Sequence, residues 1–187
     1  MKPSAMKRLP LLLLALALPF AGHAADYAVQ QGASKLGFSD TFQGQSFDGS
    51  FDRWTAAIRY DPAHLAASKF DVSVDLSSAK TGDDDRDGAL PGPDFFDTAK
   101  FPKAHFVTTG FRKQGAQVIA DGQLTLRGVT KPVSLSVDFK PQGNGATLDV
   151  SGTLKRLDFG VGGGQYADTS VIGAEVKVTA HLMLVAR

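Results

Sequence analysis

The sequence predicts an all-β chain: an eight-stranded antiparallel β-barrel with one or two short helices and a long loop after the third strand. Three observations carry this expectation. Apolar and polar residues alternate with a period of two along most of the chain, as half-buried strands do. Short Gly-containing turns separate the runs, and short connections favour antiparallel neighbours. No window of 12 or more residues carries an apolar stripe at helical spacing. One-faced alternation on about eight strands needs a shared apolar interior, which a barrel and a two-sheet sandwich both provide. The barrel is favoured because several strands span 9 to 15 residues, and long strands with open edges invite aggregation.

Residues 1–24 read as a cleaved secretory leader. Lys2, Lys7 and Arg8 make a basic start, Leu9–Phe20 is an apolar run of 12 residues, and Gly22-His23-Ala24 supplies small residues before a cut after Ala24. A run of that length falls well short of the roughly 20 residues a spanning helix needs. The expected compartment is the periplasm, or the outside if the host has a single membrane. Residues 25–187 then form one domain of 163 residues with 17 basic and 19 acidic side chains, a net −2. That balance gives no electrostatic reason to expect a nucleic-acid partner. The chain holds no cysteine, which excludes a disulfide framework, a thiolate metal site and a Cys nucleophile. After cleavage the domain carries 12 Phe and 12 Leu. Leu is normally among the commonest residues, so this interior is unusually aromatic.

The elements follow in order. Lys35–Asp40 is the first predicted strand. Phe47, Gly49 and Phe51 then share one phase, while Trp54, Ala56, Ile58 and Tyr60 share the other. A phase change within one run predicts a β-bulge near Asp52-Arg53. Asp61-Pro62 resembles a cap followed by a first-turn proline, so a short helix fits Pro62–Ser68. Phe70–Ser77 alternates cleanly, and Ala79–Lys103 is the long linker. Ala104–Phe111, Gln117–Arg127, Val133–Lys140, Ala146–Lys155 and Ile172–Leu184 complete the eight strands. Turns are expected at Gln43-Gly44-Gln45, Gln114-Gly115, Arg127–Pro132 and Pro141–Gly145, with a second longer linker at Gly160–Ser170.

Two stretches suggest chemistry and then argue against it. Asp83–Asp94 fits Asp-x-Asp-x-Asp-Gly with Leu90 at the eighth position, as a calcium loop would. However, the twelfth position is Asp rather than Glu, Pro91 and Pro93 interrupt the approach, and no amphipathic helix flanks it. A solvated acidic loop is the plainer reading. Catalytic signatures are weak: His64, His105 and His181 are far apart, and no Gly-x-Ser-x-Gly elbow or phosphate-binding glycine pattern occurs. Gly160-Val161-Gly162-Gly163-Gly164 lacks the spacing of a nucleotide loop. No cofactor or metal is expected.

The aromatic residues carry the stronger signal. Phe38, Phe47, Phe51, Trp54, Phe70, Phe95, Phe96, Phe101, Phe106, Phe111, Phe139 and Phe159 are spread over the strands and the long linker. They either fill the core or line an apolar cavity, since rigid rings wall a wide space at low entropic cost. An eight-stranded barrel is just wide enough for either. Phe95-Phe96 falls outside the strands and is expected to plug or line the barrel mouth.

Several motifs, in order, carry a family resemblance. They are Ser34–Phe38; Phe47-Asp48-Gly49-Ser50-Phe51 with Tyr60-Asp61-Pro62; Asp85-Arg86-Asp87; Asp94-Phe95-Phe96-Asp97; Lys100–Phe106; Gly122-Gln123-Leu124-Thr125-Leu126-Arg127-Gly128-Val129-Thr130-Lys131-Pro132-Val133; and Arg156–Gly160. The chain resembles the YceI-like family of exported, lipocalin-like lipid-binding proteins. The resemblance implies a lipocalin-like barrel that binds or carries a long apolar ligand: a polyisoprenoid, an isoprenoid quinone or a fatty-acid-like lipid. It makes the calcium pattern accidental. Two departures stand out: Ala89 occupies a position where the family often has His, and Pro91-Gly92-Pro93 is unusual.

The residues expected to contact ligand are Phe38, Phe51, Trp54, Ile58, Phe70, Val72, Phe95, Phe96, Phe106 and Leu124. Arg127 and Arg156 read as structural or rim charges that could also meet a head group. Expected partners are a long isoprenoid or fatty lipid and no nucleic acid; transient contact with a membrane or a membrane redox protein, and a homodimer, are compatible. An enzyme acting on a lipid-like substrate in the same cavity, or a stress-response interaction protein with a filled core, are the alternatives.

Overall fold

The structure, a computed structural model, describes residues 24–187. The leader segment lies outside the described residues except for Ala24. Eleven strand segments form the fold: β1 (Ala25–Val29), β2 (Lys35–Phe42), β3 (Gln45–Phe51), β4 (Trp54–Tyr60), β5 (Lys69–Asp75), β6 (Ala79–Lys80), β7 (Lys103–Gln114), β8 (Gln117–Leu126), β9 (Val129–Gln142), β10 (Gly145–Lys155) and β11 (Glu175–Ala186). All pairings are antiparallel.

These segments make eight barrel staves, because the first six fuse in pairs. β1 and β2 are one stave interrupted by a 3-10 turn at Gln31–Ala33. Their neighbours, β3 and β4, are a second stave broken at Asp52-Arg53: β3 pairs with β2, and β4 pairs with β1. β5 and β6 are a third, bent at Leu76–Ser78, with β5 on β4 and β6 on β3. β7 to β11 follow in sequence, and β11 pairs with both β2 and β1, closing the ring.

The break at Asp52-Arg53 is the predicted phase change. Phe51 and Trp54 both face the interior although three positions apart. The kink is held by the buried Ser78, whose Oγ accepts from Arg53 N–H at 3.0 Å and donates to Asp75 C=O at 2.6 Å. A second register shift, between Thr108 and Gly110, lets Phe106 and Phe111 both turn inward; the alternation of β7 alone does not announce it.

Four expectations change in detail. β1 was not predicted; its five residues are too few to show a period, yet it supplies closure with β11. The Arg127–Pro132 turn shrinks to Arg127-Gly128, both with positive φ (50° and 75°), as a type I′ hairpin requires, and Val129–Pro132 join β9. The expected strand start at Ile172 moves to Glu175, because Gly173 N–H bonds Thr41 C=O and Ile172 makes an isolated bridge to Phe42. The Pro62–Ser68 helix is only a 3-10 turn at Leu65–Ala67, while Asp61 accepts from the N–H groups of Ala63 and His64. A short helix, α1 (Asp84–Ala89), instead forms inside the long linker, capped by the Asp83 carboxylate on Arg86 N–H at 2.9 Å.

The interior is apolar and the outer face polar, the reverse of a membrane barrel. On β9, for example, Val133 and Leu135 line the lumen while Ser134 and Ser136 face out. The hairpin turns at 115–116 and 143–144 mark one end, and those at 43–44 and 127–128 mark the other.

Candidate functional site

The two ends of the barrel are built differently, and the difference makes a cavity. At the end of the 115–116 and 143–144 turns, aromatic rings interlock. Tyr60 lies 4.7 Å from Phe139 and 5.9 Å from both Phe70 and Phe111, centroid to centroid, and Phe111 meets Phe70 edge-on at 4.9 Å. With Leu148, Leu182 and Leu184 these rings fill the lumen and form a floor.

Above that floor the lumen is open, with a volume of about 590 Å³. This is within the range of ligand cavities. All ten residues singled out from the sequence sit on its wall: Phe38, Phe51, Trp54, Ile58, Phe70, Val72, Phe95, Phe96, Phe106 and Leu124. The aromatic signal thus splits, since Phe111 and Phe139 fill core whereas Phe38, Phe47, Phe51 and Phe106 line space. Two glycines explain how large rings leave that space. The outer edge of the Phe38 ring occupies the site a Cβ would take on the neighbouring Gly49, and Phe106 does the same over Gly122. Each ring therefore lies against the wall instead of crossing the lumen.

The long linker roofs the other end. Phe96 packs with Leu76, Ala79, Ala104, Phe159 and Val161 as a second core cluster. Phe95 meets Tyr166 with the rings tilted and their centroids 5.0 Å apart. Arg127 pins the roof by donating to the carbonyls of Pro93 and Gly160, and Asp94 C=O accepts from Gly162 N–H at 2.8 Å. Arg127 is therefore structural and does not line the cavity. The cavity reaches the surface beside α1, where Asp85, Ala89 and Phe42 are exposed. Arg86 lies there with its guanidinium 4.7 Å above the Phe47 ring and 3.6 Å from Asp83. Ala89 is part of this rim; the carbonyls of Pro91 and Pro93 hold Thr98 and Arg127.

Polar groups on the wall are few. Arg156 is 4% exposed, and every guanidinium N–H is used: Nε on Gly173 C=O, Nη1 on Val161 and Gly162, Nη2 on Tyr166 and Ile172. Burial pushes its pKa down, while Asp40 pulls the other way. Sequence reasoning missed Asp40. It continues the inward phase of Leu36 and Phe38 on β2, and a carboxylate at an inward strand position is the signal that could have found it. Its Oδ1 accepts from Thr41 N–H at 2.6 Å, and burial raises its pKa against that bond and Arg156.

The other titratable residues serve the scaffold. His64, His105 and His181 pair with Asp61, Asp71 and Asp149 at 3.0, 2.8 and 2.6 Å, away from the lumen. In the acidic stretch, Asp83 caps α1 and Asp87 accepts from Thr81 N–H and Oγ1, both at 2.7 Å. No group of three or more metal-ligating side chains gathers among the described residues.

A sequence profile of the YceI-like domain matches residues 27–184. A UPF0312 protein of Pseudomonas savastanoi pv. phaseolicola is 34% identical over 169 residues, covering 84% of this chain and 88% of its own. One from Vibrio cholerae is 34% identical over 170 residues, covering 84% and 90%. Among solved structures, BcnA of Burkholderia cenocepacia aligns with a TM-score of 0.79 at 29% identity, over 83% of this chain and 99% of that one. A polyisoprenoid-binding domain of Saccharophagus degradans, implicated in plant cell wall breakdown, aligns with a TM-score of 0.67 at 19% identity, over 88% and 99%. At that identity the likeness is one of fold.

Proposed function

This chain belongs to the YceI-like family, and from that membership we propose that it is a periplasmic carrier sequestering one long apolar ligand, of polyisoprenoid, isoprenoid-quinone or fatty-chain type. The observation that carries the reading is the cavity of about 590 Å³ with apolar walls and an aromatic floor. Such a space excludes a chain from water at roughly 0.8 kcal/mol per buried methylene, so affinity needs no polar contact. The basic, apolar and small-residue order of residues 1–24 supports export. A lining made largely of aliphatic and aromatic side chains supports binding. The polyisoprenoid-binding neighbour supports a lipid ligand by likeness of fold.

Loading and release call for transient contact with a membrane or a membrane redox protein. Phe42, exposed at the rim, and Val171, exposed next to Phe42's bridge partner Ile172, suit such a contact. The test is native mass spectrometry, with organic extraction, of protein purified from its own host. A co-purifying lipid of one mass class per barrel is expected, and the same spectrum reads whether the protein is a homodimer. No lipid in the native protein, together with no uptake of a long-chain probe by the stripped protein, would overturn the carrier reading.

A further inference from the structure

We propose that the cavity is a ruler closed at its lower end, which admits an apolar tail of about 20 carbons and holds no much longer tail whole. The ligand class narrows to a fatty chain or a short isoprenoid of farnesyl to geranylgeranyl size, rather than a chain of octaprenyl size. This rests on the carrier reading above and deepens it.

The lower end is shut by rings. Tyr60 meets Phe139 at 4.7 Å and Phe111 at 5.9 Å, centroid to centroid, and Tyr27 closes edge-on against Phe139 at 5.7 Å. None of these four rings lines the cavity, so they lie beneath it as a plug. Phe70 is the boundary: it lines the cavity on one side and meets Tyr60 and Phe111 on the other. The direction of entry follows from polarity. The wall beside the plug is Ala56, Ile58, Phe70, Leu148, Ala180 and Leu182, all apolar. Asp83, Asp85 and Arg86 stand at the mouth, on or next to α1. A polar head group keeps its water at the mouth and would lose it at the floor, so the tail enters first and meets a dead end. The volume then sets the length. A cavity of about 150 Å³ takes one benzene. The cavity of about 590 Å³ therefore takes about four rings' worth of carbon, roughly 20–25 atoms however the tail coils.

The test is a competition along one homologous series. Stripped full-length protein is offered neighbouring saturated primary alcohols, from decanol to triacontanol, at equal free concentrations, and the bound pair is extracted and quantified by mass spectrometry. One head group throughout cancels any head-group preference. Each methylene that still enters should raise affinity about four-fold. Past about 20 carbons the ratio between neighbours should fall to about one. Phe70→Ala takes a phenyl ring out of the floor, and the break should move up by about four to six carbons. Ala180→Phe adds the same ring in open space beside the floor, and the break should move down by a similar amount. A damaged fold does not shift the break in opposite directions. If Phe70→Ala does not fold, Ala180→Phe decides, because it fills space instead of emptying core. An affinity that climbs through to triacontanol overturns the ruler and leaves the carrier reading standing. Binding of no alcohol overturns both. A break below tetradecanol or above hexacosanol overturns the assigned length. A break that stays in place in the folded variants overturns the floor as its cause.

Discussion

At the scale of single residues, burial converts charges into scaffold. Arg156 could be read from the sequence as structural or as a rim charge; five carbonyl partners, from Val161 to Gly173, show it to be the organiser of the whole 160–173 segment. Lysine cannot replace it, since an ammonium has three donors and no planar fork. Arg156→Lys should destabilise the fold by about 2–4 kcal/mol through orphaned carbonyls, read as a lower urea midpoint. An unchanged midpoint would show that solvent replaces those bonds. Asp40 illustrates the opposite lesson. Its type and position were visible, but the prediction ended the first strand there, so its inward direction went unread.

Among the elements, legibility depended on length. β5, β9, β10 and β11 repeat their alternation often enough to be recognised, and the Asp52-Arg53 break showed as a phase change. β1 and α1 have five and six residues, too few for periodicity to emerge. What holds the break together comes from 25 residues away, in Ser78 Oγ bridging Arg53 and Asp75. Ser78→Ala leaves the part-buried Arg53 N–H without its partner and Asp75 C=O without its donor, at a cost of about 1 kcal/mol. Thermal unfolding should report that loss, and a melting temperature within error of the parent would discount the bridge. Flattening of Phe38 onto Gly49 belongs to the same scale. Gly49→Ala must push the ring into the lumen, so affinity for a long-chain probe should fall by about ten-fold or more while the far-ultraviolet spectrum stays that of the parent. Undiminished affinity would mean that the ring finds another wall position.

For the molecule as a whole, closure replaces covalent staples. The barrel has no cysteine, and its staves are tied on the outside by carboxylates. Asp26 accepts two bonds from Arg59 across β1 and β4, Arg53 reaches Asp75, and Asp121 joins Arg112 to Ser134 across β7, β8 and β9. Arg59 holds the Asp26 pKa down, Ser77 and Arg53 that of Asp75, and Ser134 and Arg112 that of Asp121. A lowered folded pKa stabilises the fold above the ordinary carboxylate value, and the contribution is lost as pH falls through the lowered one. Asp40 runs the other way, because its raised pKa makes protonation favour the fold. Three lowered groups outnumber it. The urea midpoint should hold steady near neutrality and decline below about pH 4; a midpoint that rises on acidification would show that Asp40 dominates.

The sequence by itself determined the all-β class, the number of staves and the family, because alternation and motif order are local properties repeated along the chain. It also determined which side chains were candidates for the wall. Only the tertiary structure decided which rings fill and which line, since that depends on the side chains around each ring on other strands: Phe106 lies over Gly122, whereas Phe111 packs edge-on against Phe70. It likewise decided that the buried arginine is fully spoken for while a nearby carboxylate is not. Hydrogen-bond saturation is set by distant carbonyls converging in space, and no linear spacing encodes that convergence.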